Sequence, residues 1–247
     1  HLAGRAVTAP LPVPYDPELV AGLDAFVEMV EIIPLRVDTI HANRDHFATL
    51  IPSMVVQAAG RAITWEDRII PGPVGAPAIE VTIVRPARPA SVPAPAVLSI
   101  HGGGMVLGTR FFGTGELIDL AERHGVVGVA VEYRLAPEHP GPAQAEDCYA
   151  ALEWMAAHAD ELGIDPARII ASGMSAGGGL SAAVALMTRD RGGPRLAGQL
   201  LGCPMLDDRN DTVSSRQYDG FGAWDRHNND TAWNAITGSD RGTDRVS

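Results

Sequence analysis

The sequence predicts an α/β protein in which a mostly parallel central sheet is flanked by helices, with a helical segment ahead of it. Three observations carry that expectation. Strand-like apolar runs alternate with helical stretches from about residue 96 to residue 203, the pattern of βαβ units. No strand pattern occurs before about residue 62, where apolar positions recur at helical spacing instead. The chain has 247 residues with 46% hydrophobic and 20% charged content, which suits one large domain with a buried core.

Taken in order, Asp16-Pro17-Glu18 reads as an N-cap with Pro at the first helical position. Leu19, Val20, Leu23, Phe26, Val27 and Val30 follow at helical spacing. A second helix is expected over 39–54, with Ile40, Phe47, Leu50 and Ile51 on one face. Residues 63–70 and 79–84 read as strands divided by the turn Pro71-Gly72-Pro73. A Pro-rich linker, 86–95, leads into a short apolar strand at 96–100. Then come helix 111–124, strand 126–132, helix 143–162, strand 168–172, helix 177–189 and strand 196–203. After Leu206 the text turns polar and Asp/Asn/Gly-rich, with one short helix near 229–236.

The formal charge of −11 argues against nucleic acid or an anionic membrane as partner. All nineteen basic residues are Arg, a compositional bias that also excludes lysine-based chemistry. Cys148 and Cys203 are too few for a disulfide framework and are expected to be reduced and buried. No run approaches the ~20 apolar residues of a membrane span. His1-Leu2-Ala3-Gly4-Arg5 shows no signal-peptide pattern, so the expected location is cytoplasmic. The absence of an initial Met fits a fragment or a processed product.

The chemistry concentrates in two motifs. Gly173-Met174-Ser175-Ala176-Gly177 matches G-x-S-x-G between an expected strand and an expected helix, the setting of a nucleophilic serine on a strained turn. Side chains at 173 or 177 would collide with neighbouring backbone there. The following helix points its N-terminus at developing negative charge. His101-Gly102-Gly103-Gly104 directly follows strand 96–100, and three glycines in a row cost backbone entropy. An oxyanion hole explains that cost: loop N–H groups, with the N–H of the residue after the serine, Ala176, would bond a tetrahedral oxyanion. His101 precedes the serine and reads as a holder of the loop by hydrogen bonds.

With these motifs about 70 residues apart, the sequence resembles the hormone-sensitive-lipase-like carboxylesterases of the α/β-hydrolase fold. His101-Gly102-Gly103-Gly104 with Leu107-Gly108, then Tyr133-Arg134-Leu135-Ala136-Pro137-Glu138-His139-Pro140, then Glu146-Asp147-Cys148-Tyr149-Ala150-Ala151-Leu152, then the Ser175 turn follow that family in order. The likeness covers about residues 55–206. Met105 and Gly141 depart from it, where aromatics are more usual, and this touches the expected shape of the acyl pocket. The resemblance implies a helical cap segment over 1–60, a hydrolase core over 61–206 and a cap-side loop region over 207–247. It also implies a cofactor-free, metal-free ester hydrolase for short to medium acyl esters, with Ser175 as nucleophile and Gly103, Gly104 and Ala176 as oxyanion donors.

In that family an acid and a histidine follow on two later strands, and this chain is expected to end before both. His227 reads as a surface histidine, and Asp207 and Asp208 follow a strand one too early for the acid. The expected consequence is a bare sheet edge at 196–203, with a missing C-terminal segment or a homo-oligomer as partner. The alternative reading is a non-catalytic protein that binds a small molecule on the same scaffold.

Overall fold

The structure, a computed structural model, describes residues 15–29, 33–88 and 92–243. The opening pentapeptide, Val30 and part of the Pro-rich linker lie outside them. Helix α1 (Pro17–Met29) starts where Pro17 supplies a preset φ, with Asp16 Oδ1 accepting from Glu18 N at 2.9 Å. A 3-10 turn (Val37–Thr39) leads into α2 (Ile40–Leu50), and α3 (Met54–Gln57) follows. The single helix expected over 39–54 is thus divided. Pro52 forces Ile51 into extended backbone, φ −91° and ψ 115°, and α2 stops at Leu50.

Six strands form one sheet: β1 (Ile63–Ile70), β2 (Ile79–Pro86), β3 (Ala94–Ile100), β4 (Val127–Glu132), β5 (Ile164–Met174) and β6 (Gly198–Gly202). Their spatial order is β1-β2-β4-β3-β5-β6. The pairs β1–β2 and β2–β4 are antiparallel, and the other three pairings are parallel. Alternation sorts the side chains of the buried strands between two faces. Leu98, Ile100, Val129 and Val131 pack with Cys148, Leu152, Leu180 and Val184 on one side. Those partners sit on α5 (Ala143–Ala157) and α7 (Ala176–Arg191). Val97 and Ala130 pack with Leu117 of α4 (Thr114–His124) on the other.

Two further helical boundaries differ from the sequence expectation. Helix α4 begins at Thr114, because Gly113 at φ 89° turns the chain just before it. The helix expected over 143–162 breaks at His158, whose Nδ1 bonds the Trp154 carbonyl at 2.9 Å, and resumes as α6 (Ala159–Leu162). The polar tail holds two helices, α8 (Val213–Gln217) and α9 (Arg226–Thr237), of which only the second was expected. Cys148 is buried as expected. Cys203 is exposed, because its φ of +35° turns it out of the sheet just past β6. At that outer strand Leu200 is 62% exposed. No helix among the described residues is long and apolar enough to cross a membrane.

This topology decides where the two motifs meet. Strands β3 and β5 are parallel neighbours, with Ile100 paired to Gly173. The loop leaving β3 and the turn leaving β5 therefore emerge side by side, at the carboxyl ends of central strands where open α/β sheets bind ligands.

Candidate active site

Ser175 occupies the turn from β5 into α7 at φ 58° and ψ −119°, a conformation that costs a non-glycine residue about 1–3 kcal/mol. Surrounding main chain holds it there. Ser175 N donates to Gly202 O at 2.7 Å, and Ser175 O accepts from Met205 N at 2.9 Å and Gly179 N at 3.1 Å. The small neighbours are required by contact. A Cβ at Gly177 would lie 1.9 Å from Ile100 O, and one at Gly173 would lie 2.4 Å from Gly177 C. Ala176 is fully buried as the first residue of α7. Its N–H belongs to the first turn, which has no intrahelical acceptor.

The glycine loop packs against this turn, and a Cβ at Gly102 would be 3.6 Å from Ser175 Cβ. Gly103 sits at φ 111°, where a Cβ would strike Leu107 O at 2.3 Å. The carbonyls of Gly102 and Gly103 are both engaged. Gly102 O bonds His101 Nδ1 at 2.8 Å, and Gly103 O accepts from Val106 N at 3.1 Å and Leu107 N at 2.8 Å. In a trans peptide the N–H points opposite to the C=O of the same plane. The N–H groups of Gly103 and Gly104 are thereby turned away from those partners. Gly104 lies beneath Trp224, whose ring would be 2.5 Å from a Cβ there.

His101 holds the loop. It is 3% exposed, stacks on Tyr133 with centroids 4.1 Å apart, and its carbonyl accepts from Tyr133 Oη at 2.9 Å. Burial pushes its pKa down to about 4, against the small opposing pull of its bond to Gly102. The ring is therefore neutral at pH 7, with its proton on Nδ1 to donate to Gly102 O.

Above the loop lies a cavity of about 420 Å³ bordered by Gly102, Gly103 and Ser175 and walled mainly by apolar side chains, with no Asp, Glu or Arg among the described residues that line it. Phe112 and Leu107 come from the β3–α4 connection, Met174 from β5, and Trp224 from the segment before α9. Asn43, His46 and Phe47 come from α2, whose 43/46/47 spacing puts them on one helical face. Sequence reading singled out Phe47 only as a core position and missed Asn43, His46, Phe112 and Trp224. The helical spacing was available as a signal for the first two, but nothing local marks Phe112 or Trp224. Met105 and Gly141 do not border this cavity, so the departures at those positions leave its walls unaltered. Gly104 and Ala176 are not among the residues that border it.

The remaining candidates are engaged elsewhere. His227 is 74% exposed and pairs with Asp219 at 3.0 Å. Asp207 is held by Arg209 through two short bonds, and Asp208 Oδ2 accepts from Gly242 N at 2.6 Å. Among the described residues no imidazole bonds Ser175 Oγ: His41 pairs with Glu138, His101 with Gly102 and His158 with Trp154.

Residues 97–247 match the family described as the alpha/beta hydrolase fold. The chain belongs to that family. As an alpha/beta hydrolase it is 38% identical over 192 residues to Esterase LipI of Mycobacterium tuberculosis, covering 76% of this chain and 56% of that protein. It is 48% identical over 114 residues to Carboxylesterase NlhH of the same species, covering 44% of this chain and 34% of that protein. The chain thus spans about half the length, or less, of these curated relatives. Among solved structures, a bacterial heroin esterase superimposes with a TM-score of 0.80 at 36% identity, covering 90% of this chain and 68% of that one. Esterase LipW from Mycobacterium marinum also gives 0.80, at 31% identity, covering 92% and 72%. These relatives agree with the likeness to hormone-sensitive-lipase-like carboxylesterases read from the motifs.

Proposed function

We propose that the protein is a serine carboxylesterase for short to medium acyl esters, working without a cofactor. The observation that carries this reading is Ser175 itself. It is held in a strained turn at the head of α7, beside the glycine loop and at the floor of an apolar cavity. Ser175 Oγ attacks the acyl carbon and the N–H groups of Gly103, Gly104 and Ala176 receive the oxyanion. Its collapse expels the alcohol, which takes up the proton Ser175 lost, and water then hydrolyses the acyl-enzyme to the acid and restores the Ser175 hydroxyl. The described lining, which holds no Asp, Glu or Arg, suits an uncharged acyl or alkyl group. No histidine or acid of residues 15–243 is assigned to the triad: His101, His227 and Asp207 are held by other partners, and His46, on the cavity wall, makes no bond to Ser175. The esterase names of the relatives support the reaction class.

A fluorophosphonate ester is expected to label the full-length protein once, and Ser175→Ala to abolish both the label and hydrolysis of p-nitrophenyl butyrate. Labelling that survives the substitution would remove Ser175 as nucleophile.

A further inference from the structure

Arg44 lies on α2, outside the two motifs, yet its guanidinium reaches both the glycine loop and the turn after β4. Nε donates to Val106 O at 2.6 Å, Nη2 donates to Ala136 O, and Nη1 and Nη2 each bond a Glu138 carboxylate oxygen at 2.7 Å. The side chain is only 20% exposed. The two-point grip on Glu138 fixes the guanidinium plane and leaves Nε aimed at Val106. Arg44 holds Glu138 down to about 2, so the carboxylate stays charged at neutral pH, and His41 faces the same carboxylate at 3.3 Å.

The Val106 carbonyl shares its peptide plane with the Leu107 N–H, which donates to Gly103 O at 2.8 Å. Gly103 C=O in turn shares its plane with the Gly104 N–H. Because each trans peptide passes direction from its C=O to its N–H, one acceptor position constrains the next. Hydrogen bonds in such a chain also polarise one another.

We propose that Arg44 is a positioning residue for the Gly104 N–H. It anchors a path from its own Nε through the Val106–Leu107 peptide and the Gly103 carbonyl to that donor. A staple between α2 and the core would need only Glu138. The bond to Val106 O is what couples the helix to the loop. Lysine cannot replace this geometry, since a single ammonium lacks the planar fork that serves Glu138 and Val106 together. The inference rests on the carboxylesterase reading, in which Gly104 is an oxyanion donor.

The test is steady-state hydrolysis of p-nitrophenyl butyrate by the full-length protein, with the Gly104 amide resonance followed by NMR in the same variants. Arg44→Met is expected to lower kcat about tenfold or more with KM changed by less than about threefold, because an oxyanion donor acts mainly on the transition state. Arg44→Lys is expected to fall between, and it carries the test if Arg44→Met does not fold. The Gly104 amide proton is expected to shift in both. Unchanged kcat, or a rise in KM alone, would show Arg44 to be a structural staple and overturn the proposal. If the unsubstituted protein shows no turnover that depends on Ser175, the carboxylesterase reading fails separately. The Gly104 resonance then decides the positioning claim by itself: if it is unmoved in both variants, that claim falls too.

Discussion

His101 combines a structural task with a pH liability. Its Nδ1 orients the Gly102–Gly103 peptide while burial keeps the ring neutral, with a folded pKa of about 4 against an ordinary value of 6.5. Between those two values the unfolded chain binds a proton that the folded chain refuses, so stability falls as pH drops from 6.5 to 4 and gains no further contribution from this group below that. The full effect approaches about 3 kcal/mol. Urea unfolding of the wild type and of His101→Asn at pH 7, 6, 5 and 4 checks this. The variant is expected to lack that share of the acid loss, and parallel curves would refute the assignment. At this scale much of the site was legible. Ser175 and the glycines are marked by composition, because a Cβ at Gly173, Gly177 or Gly103 would lie 1.9–2.4 Å from neighbouring main chain. The exposure of Cys203 was not legible, since an apolar run ending in cysteine carries no sign of the φ of +35° that turns it outward.

At the scale of elements, the segment before α9 borders the cavity through Ala223 and Trp224. Asp225 caps that helix: Oδ1 accepts from Asn228 N at 2.9 Å and Oδ2 from Gly220 N at 3.1 Å. Trp224, next to it, roofs Gly104 and bonds Asn229 through Nε1 at 3.2 Å. Asp225→Ala is expected to cost about 1 kcal/mol in chemical denaturation, and Asp225→Ser much less, as for other N-caps. Equal losses in both variants would mean that the carboxylate has a task besides capping. A short helix near 229–236 was read from the sequence, and it lies within α9. Helix α8 was not, because four polar residues after an exposed Val213 have no apolar face to announce them.

For the molecule as a whole, the join between the sheet and its α5 layer adds a buried ion pair to its apolar packing. Asp147 of α5 is 1% exposed and accepts from Arg134 N, Nε and Nη2 at 3.0, 2.8 and 2.7 Å, just beyond β4. Arg134→Leu leaves that carboxylate buried with its charged partner gone, at an expected cost of about 3–5 kcal/mol. The double variant with Asp147→Leu is expected to recover more than half of the loss, because the uncompensated charge is gone. Recovery of none would place the stabilisation in the rest of the Arg134 side chain instead.

The sequence by itself determined the layered α/β architecture, the six strands in order and the tight turn that carries Ser175. Each is written in local periodicity or in residue size, which act over a few neighbours. It also determined the likeness to a hydrolase family, through motifs whose spacing is a count along the chain. Tertiary structure decided the rest. It paired Ile100 with Gly173 and so brought two motifs together from distant stretches. It set Phe112, Trp224, Asn43 and His46 around one cavity. It also linked Arg44 to Val106, 62 positions away in sequence. Such contacts depend on how twisted strands and packed helices close in space, and no local pattern of residues encodes that closure.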